Sequence, residues 1–220
     1  FERLTRTLRG RIDAIGKAKG RAMNLTIAAA ANKGTLGWLK KGFLLENMDW
    51  VNVMTYDYAG AWSSLAGHNA PLFPSKKSPQ SIETTIRYLL EERGIPADRL
   101  ALGLPLYGRG FNVAKPYDSI KDLPKKRVVS YTYRQIADKQ KEGWKRSWDD
   151  DIKAPWLSAP DGSMVVGYDD AESLRLKTEW AMSRGLRGVF FWQIAQDRLP
   201  DGRNSLQEAA HKAWEAGTAK

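Results

Sequence analysis

One stretch constrains the fold more than any other: Met48-Asp49-Trp50-Val51-Asn52-Val53-Met54-Thr55-Tyr56-Asp57-Tyr58-Ala59-Gly60-Ala61-Trp62. Trp50 to Met54 is apolar apart from Asn52, the pattern expected of a strand buried on both faces. The run then breaks into Tyr56, Asp57 and Tyr58 and a glycine-containing turn. A buried strand whose C-terminal end carries an acid and phenols is how a parallel α/β protein presents a site. A core strand followed by an aromatic loop gives the same pattern.

The neighbouring segments repeat this unit. Residues 1–19 place Phe1, Leu4, Leu8, Ile12 and Ile15 at helical spacing with basic residues elsewhere, and Gly20 ends the helix. Leu25 to Ala31 is a short apolar run after a capped helix, which favours a strand over a buried helix start. Gly34 and Gly37 mark a loop, with a short helical piece near Trp38 to Leu45. Residues 60–78, with Gly60, Gly67, Pro71 and Pro74, form a long loop, and such loops often carry function. Ser78-Pro79 offers an N-cap and first turn for a helix with the stripe Ile82, Ile86, Leu89 and Leu90, stopped by Gly94. Leu100 to Tyr107 reads as a second buried strand, ending in Tyr107-Gly108-Arg109.

The βα rhythm then breaks. Val128 to Tyr131 is strand-like, Thr132 and Gln135 have capping-box spacing, and Trp144, Arg146 and Trp148 alternate as on a strand. Pro160-Asp161-Gly162 is a turn signal between Trp156-Leu157 and Met164 to Tyr168, as in a hairpin. This segment reads as a small α+β insertion. The rhythm resumes with a helix from Asp170 to Arg184, a strand from Arg187 to Gln193 and a final amphipathic helix over 204–216.

Several function classes are disfavoured. The net charge of +10 suggests anionic partners, but seven Lys/Arg against two acids lie in residues 1–21, where a solvated helix face explains them. Lys125-Lys126-Arg127 reads as a surface loop, and no nucleic-acid partner is expected. There is no cysteine, which excludes thiol chemistry and disulfides. No apolar run is long enough to span a membrane. His68 and His211 lack metal-ligand spacing, and Asp149-Asp150-Asp151 lacks the alternating oxygens of an ion loop, so no metal is expected. Gly108 and Gly110 lack the third glycine of a dinucleotide fingerprint, and no cofactor is implied.

Three apparent strands end in groups suited to one binding face: Tyr56 and Asp57, Tyr107 and Arg109, Trp192 and Gln196. In a parallel barrel these ends converge. Aromatic faces stack on sugars, and Asp, Arg and Gln bond hydroxyls and amides. Trp192 alone fits a core position and Asp57 alone fits a cap; their shared placement points to a site.

These stretches carry a resemblance. Asn52 to Trp62 resembles the sixth-strand motif of family 18 glycoside hydrolases, the chitinases. Gly103-Leu104-Pro105-Leu106-Tyr107-Gly108-Arg109-Gly110-Phe111 is similar to their seventh-strand motif. Gly188-Val189-Phe190-Phe191-Trp192-Gln193 is similar to their eighth strand, and Phe191 to Asp197 resembles bacterial exo-type members. The resemblance implies an α/β fold, a (β/α)8 TIM barrel of which this chain supplies about strands 5–8. It implies barrel segments at 1–108 and 170–220 and an α+β chitinase insertion domain at 109–169. The implied reaction is substrate-assisted, retaining hydrolysis of β-1,4-linked N-acetylglucosamine polymers, with chitin or chitooligosaccharide as partner. Tyr56 would orient the acetamido group and Asp57 contact the distorted sugar. Met54 would line the pocket, Trp192 form its floor and Trp62 stack on the leaving-group side. Tyr107 and Arg109 would bind sugar polar groups, and Gln196 would lie near the pocket. A cis peptide after Trp192 and secretion are implied too.

One element of the family pattern does not occur in these 220 residues: the Asp-x-x-Asp-x-Asp-x-Glu motif that supplies the acid. The chain lacks an initiator Met and reads as one whose beginning is missing, resembling the family from the helix after strand four. It is therefore expected to be inactive alone and to need the N-terminal half of the barrel, from the same protein or a second chain. A catalytically inactive, chitinase-like carbohydrate-binding protein is the alternative.

Overall fold

The computed structural model describes residues 1–124 and 127–218; Lys125 and Lys126 of the expected basic loop lie outside the described residues. In chain order the elements are α1 (Glu2–Ala18), β1 (Thr26–Ala30), α2 (Lys33–Gly37), α3 (Lys41–Asn47), β2 (Trp50–Met54), α4 (Ile82–Arg87), β3 (Leu100–Pro105) and β4 (Tyr107–Phe111). There follow β5 (Val128–Thr132), α5 (Tyr133–Lys141), β6 (Lys145–Asp149), β7 (Ala154–Ser158), β8 (Val165–Gly167), α6 (Ala171–Ser183), β9 (Gly188–Trp192) and α7 (Ser205–Thr218). A π-helical turn, Tyr88–Glu92, continues α4.

Two sheets organise these elements. The first is parallel, in the order β1-β2-β3-β9. Its register puts Val51 opposite Ile27 and Leu100, and Leu102 opposite Val53 and Val189. This face packs on the helices in one core with Ile82, Ile86, Leu174, Ala181 and Leu206. The other face is partly open: in β2, Val51 and Val53 are buried while Trp50, Asn52 and Met54 are half-exposed, whereas β3 is buried throughout. The expectation of a strand buried on both faces is corrected here, because among the described residues the second face of β2 is only partly covered, by contacts such as Arg187 on the Trp50 ring. The second sheet is antiparallel, in the order β5-β4-β8-β7-β6. It is packed on both sides, by Ala59, Ala66 and Ile120 against Phe111, Trp156 and Val165, and by Ile136 of α5 against Leu157, Val166 and Tyr168.

Local signals explain most boundaries. Gly20, Gly94 and Gly185 sit at positive φ at the ends of α1, the π-turn and α6. Thr132 and Gln135 form the capping box of α5, and Asp170 with Ser173 forms that of α6. Gly162 (φ 70°) turns the chain between β7 and β8.

Four expectations need correction. Gly34 and Gly37 lie in the helix α2, not in a loop, because the Asn32 side chain accepts from the Thr35 N–H and starts a turn. Ser78 is not the cap of α4: it bonds Ser75 in a closed turn, and Ser81 caps instead, reciprocated by Thr84. Tyr107 and Arg109 do not end β3; they lie on β4, which turns away into the antiparallel sheet after Leu106. At α1, Phe1, Leu4, Leu8 and Ile15 are 41–66% exposed, and Thr5 and Gly16 are the buried residues. Within its basic face Arg9 is not simply solvated, since it bridges Asp13, Asp49 and the Met23 carbonyl.

Candidate active site

The end of β2 and the loop after it form one wall of a cleft of about 680 Å3, lined by Met54, Tyr56, Asp57, Trp62, Asn32, Lys77 and Gln80 among others. Tyr56 reaches its position because Gly103 on β3 has no side chain. A Cβ there would lie 2.9 Å from the Tyr56 ring, 3.0 Å from Phe190 and 2.7 Å from the Val53 carbonyl. The Tyr56 ring meets Tyr107 and Phe190 edge-on, with centroids 6.1 and 6.5 Å away. Its hydroxyl is buried and bonds no protein group. Burial first, then the Asp57 charge, push its pKa up to about 12, so it is a neutral donor at ordinary pH. A buried donor without a partner is uncommon and calls for an explanation.

Asp57 has φ 61°, a left-handed conformation that a non-glycine residue keeps only when its surroundings impose it. Its backbone N–H donates to Asn69 Oδ1 at 3.2 Å. Its carboxylate Oδ1 accepts from Tyr107 Oη at 2.7 Å and from Arg109 Nη2 and Nε at 2.6 and 3.2 Å. Burial and the neighbouring Asp57 hold the Tyr107 phenol well above its ordinary pKa, so it remains the donor in that bond. The Arg109 guanidinium lies 5.7 Å from the Trp62 ring centroid, which leaves the indole at the rim, 64% exposed. Gly60 lies beneath that indole, where a Cβ would come within 2.5 Å of the ring.

The structure thus brings six of the eight expected residues together. Met54, Tyr56, Asp57 and Trp62 line the cleft, and Tyr107 and Arg109 hold Asp57 from β4. Trp192 stands at the end of β9, 56% exposed, opposite Pro105 on the same open face as Met54 and Phe190. The Trp192–Gln193 peptide is cis. Gln196 lies in a 3-10 turn, Ile194–Asp197, outside the cleft lining, with Oε1 buried and without a partner. Among the described residues that line the cleft, Asp57 is the one carboxylate. What it presents is a phenol without a protein partner, a fixed carboxylate and an aromatic rim, a set able to donate, accept and stack.

Sequence reasoning missed Asn69, which is fully buried and bonds the backbone of both Asp57 and Tyr107. An Asn in a long loop reads as a turn former, and no local signal distinguishes it. His68 was considered only as a metal ligand. Its Nε2 instead faces the carbonyls of Pro155 and Tyr168 at 3.1 and 2.9 Å, and its Nδ1 accepts from the Ala70 N–H. Burial pushes its pKa down to about 3. His211 pairs with Glu215 on α7. Among the described residues no three His, Asp or Glu side chains cluster as a metal site.

The chain is similar to known proteins. The sequence pattern of the glycosyl hydrolases family 18 matches residues 1–197. Chitinase A1 of Niallia circulans is 30% identical over 218 residues, covering 91% of this chain and 31% of that protein. Chitinase 1 of Aphanocladium album is 29% identical, covering 89% of this chain and 46% of that protein. The chitinase ChiW of Paenibacillus sp. str. FPU-7 superposes with a TM-score of 0.87 at 32% identity, over 98% of this chain and 19% of that one. The Ostrinia furnacalis Group IV chitinase, solved in complex with allosamidin, gives 0.83 at 26% identity over 99% of this chain and 62% of that one. The chain belongs to glycosyl hydrolase family 18 and has its α/β fold. It spans less than half the length of the two curated relatives.

Proposed function

We propose that this chain is the substrate-holding half of a chitinase-type glycosidase, acting on β-1,4-linked N-acetylglucosamine polymers by the substrate-assisted, retaining route. The observation that carries this is the buried, unpartnered Tyr56 hydroxyl beside a carboxylate fixed by Tyr107 and Arg109. Tyr56 donates to the acetamido oxygen of the sugar at the cleavage point and aims it at the anomeric carbon. Asp57 orients the same group and steadies the charge that develops on it. Trp192 forms the floor, Trp62 stacks on the leaving-group side, Met54 fills the wall, and Gln196 contributes from the edge. Tyr107 and Arg109 act on the sugar's polar groups and through Asp57. The proton for the glycosidic oxygen comes from a glutamate outside these 220 residues.

In the same proposal the parallel sheet is strands 5–8 of an eight-stranded barrel, carried by residues 1–108 and 170–220, and residues 109–169 are the insertion domain. The strand edges support this. The outer strands of the parallel sheet, β1 (Thr-Ile-Ala-Ala-Ala) and β9 (Gly-Val-Phe-Phe-Trp), carry no charge and each pairs on one side only among the described residues. Uncharged edges of this kind fit strands that meet further strands, here the N-terminal half of the barrel. Secretion belongs to the same proposal, since the polymer lies outside the cell.

The test is release of reducing ends from tetra-N-acetylchitotetraose. The 220-residue chain alone gives none, and the same chain supplied with a family 18 N-terminal half bearing the acidic motif gives turnover. Hydrolysis by the chain alone, or none after complementation into a folded complex, overturns the proposal.

A further inference from the structure

We propose that Asn69 is a positioning residue for Asp57, and that His68 and Asn69 together fix the cleft's carboxylate to the antiparallel sheet. The proposal rests on the sugar-binding role assigned to Tyr56 and Asp57.

The geometry is a two-sided clamp. Asn69 Oδ1 accepts the Asp57 N–H at 3.2 Å, and Asn69 Nδ2 donates to the Tyr107 carbonyl at 3.3 Å. One partner is a donor and the other an acceptor, so together they define which way the amide points. The Asn69 carbonyl also accepts the Tyr58 N–H at 3.0 Å. A single buried side chain thus holds the backbone of Asp57 and of Tyr107, the two residues whose side chains meet at 2.7 Å. Asp57 is at φ 61°, a conformation with an intrinsic cost, and the Asn69 oxygen is what receives its N–H there.

The adjacent residue anchors the clamp. His68 is fully buried and its Nε2–H is shared between the carbonyls of Pro155, on β7, and Tyr168, just after β8. A Cβ on Gly167 would lie 3.1 Å from the His68 backbone, so the contact with β8 is close. The dipeptide therefore touches β4 of the antiparallel sheet through Tyr107, and β7 and the end of β8 through His68. Asp57 takes its position from that sheet as well as from β2. Tyr56 donates from the parallel sheet, so the spacing of phenol and carboxylate depends on this joint.

The test uses the full 220-residue chain, 15N-labelled, with Asn69→Ala and Asn69→Asp. Asn69→Ala removes both bonds, whereas Asn69→Asp keeps the oxygen that faces Asp57 and loses the donor to Tyr107. Amide hydrogen exchange at Asp57 is expected to be protected in the parent, about fivefold or more faster in Asn69→Ala, and protected again in Asn69→Asp. The dissociation constant for tetra-N-acetylchitotetraose is expected to rise about fivefold or more in Asn69→Ala, beyond any change that follows the melting temperature. A protected Asp57 amide in a folded Asn69→Ala chain overturns the clamp. So does acceleration spread evenly over all amides, the sign of a merely structural loss. If Asn69→Ala does not fold, loss of Asp57 protection in Asn69→Asp overturns it. If the parent chain does not bind the oligosaccharide, the sugar-binding role fails, while the exchange data still decide the clamp.

Discussion

In the antiparallel sheet Phe111, Trp156 and Val165 are buried on one face and Leu157, Val166 and Tyr168 on the other. In the parallel sheet Val51 and Val53 are buried against helices, while Asn52, Met54 and Phe190 on the opposite face stay half-exposed and Trp192 stands in solvent. In one unit β7 and β8 are packed on both faces among the described residues; in the other β2 keeps one buried face and one half-exposed face. The cleft sits where they meet: Tyr56 and Met54 come from the open sheet, and Asp57 is fixed by Tyr107 and Arg109 of the packed one.

That contrast can be broken by mutation. The largest effect is expected for Trp156→Ala, which empties the middle of the antiparallel core and costs about 3–5 kcal/mol in urea unfolding. A cost below about 1 kcal/mol would mean that this sheet is not packed as described. Gly103→Ala is next. The new methyl meets the Val53 carbonyl and the Tyr56 ring, with a cost of about 1–3 kcal/mol and loss of sugar binding through a displaced phenol. Retained affinity would show that the Tyr56 position is not set by Gly103.

The joint gives a pH-dependent effect. His68 has a folded pKa near 3 against an ordinary value near 6.5, so below pH 6.5 the unfolded chain takes up a proton that the folded chain refuses. Stability is therefore lost as pH falls from about 6.5 towards 3, by up to about 1.4 kcal/mol per pH unit. Burial raises the pKa of nearby Asp169 and lowers that of Lys177, so the measurement is the difference between the parent and His68→Gln from pH 7 to 5. The parent should lose about 2 kcal/mol relative to the variant across that range. Parallel curves would assign the pH dependence elsewhere. The smallest effect is expected on the outer stripe of α1. Leu8→Ser should change stability by no more than about 0.5 kcal/mol, because the side chain is already 41% exposed.

Much of the fold was legible because its signals are local. Gly20, Gly94 and Gly185 stop helices through backbone conformation, and Thr132–Gln135 announces α5 by a capping box. β2 and β9 were visible as apolar runs ending in polar-aromatic clusters. What could not be read depends on distant partners. Whether β2 is covered on one face or two is decided by elements remote in sequence, and Trp50-Val51-Asn52-Val53-Met54 reads the same either way. Ser78 and Ser81 are both credible caps; the reciprocating Thr84 selects one. Tyr107 and Arg109 looked like the end of a strand, and only the three-dimensional turn after Leu106 puts them on the second sheet, facing Asp57. Asn69 was invisible because its two partners lie 12 and 38 residues away.

The most direct measurement is calorimetric titration of tetra-N-acetylchitotetraose into the 220-residue chain and its Tyr56→Phe variant. The sugar should bind saturably to the parent and about fivefold or more weakly to Tyr56→Phe, because the variant removes only the buried hydroxyl that lacks a protein partner. Equal affinity in the two proteins, with Tyr56→Phe as stable as the parent, would contradict the assignment of that hydroxyl to the substrate.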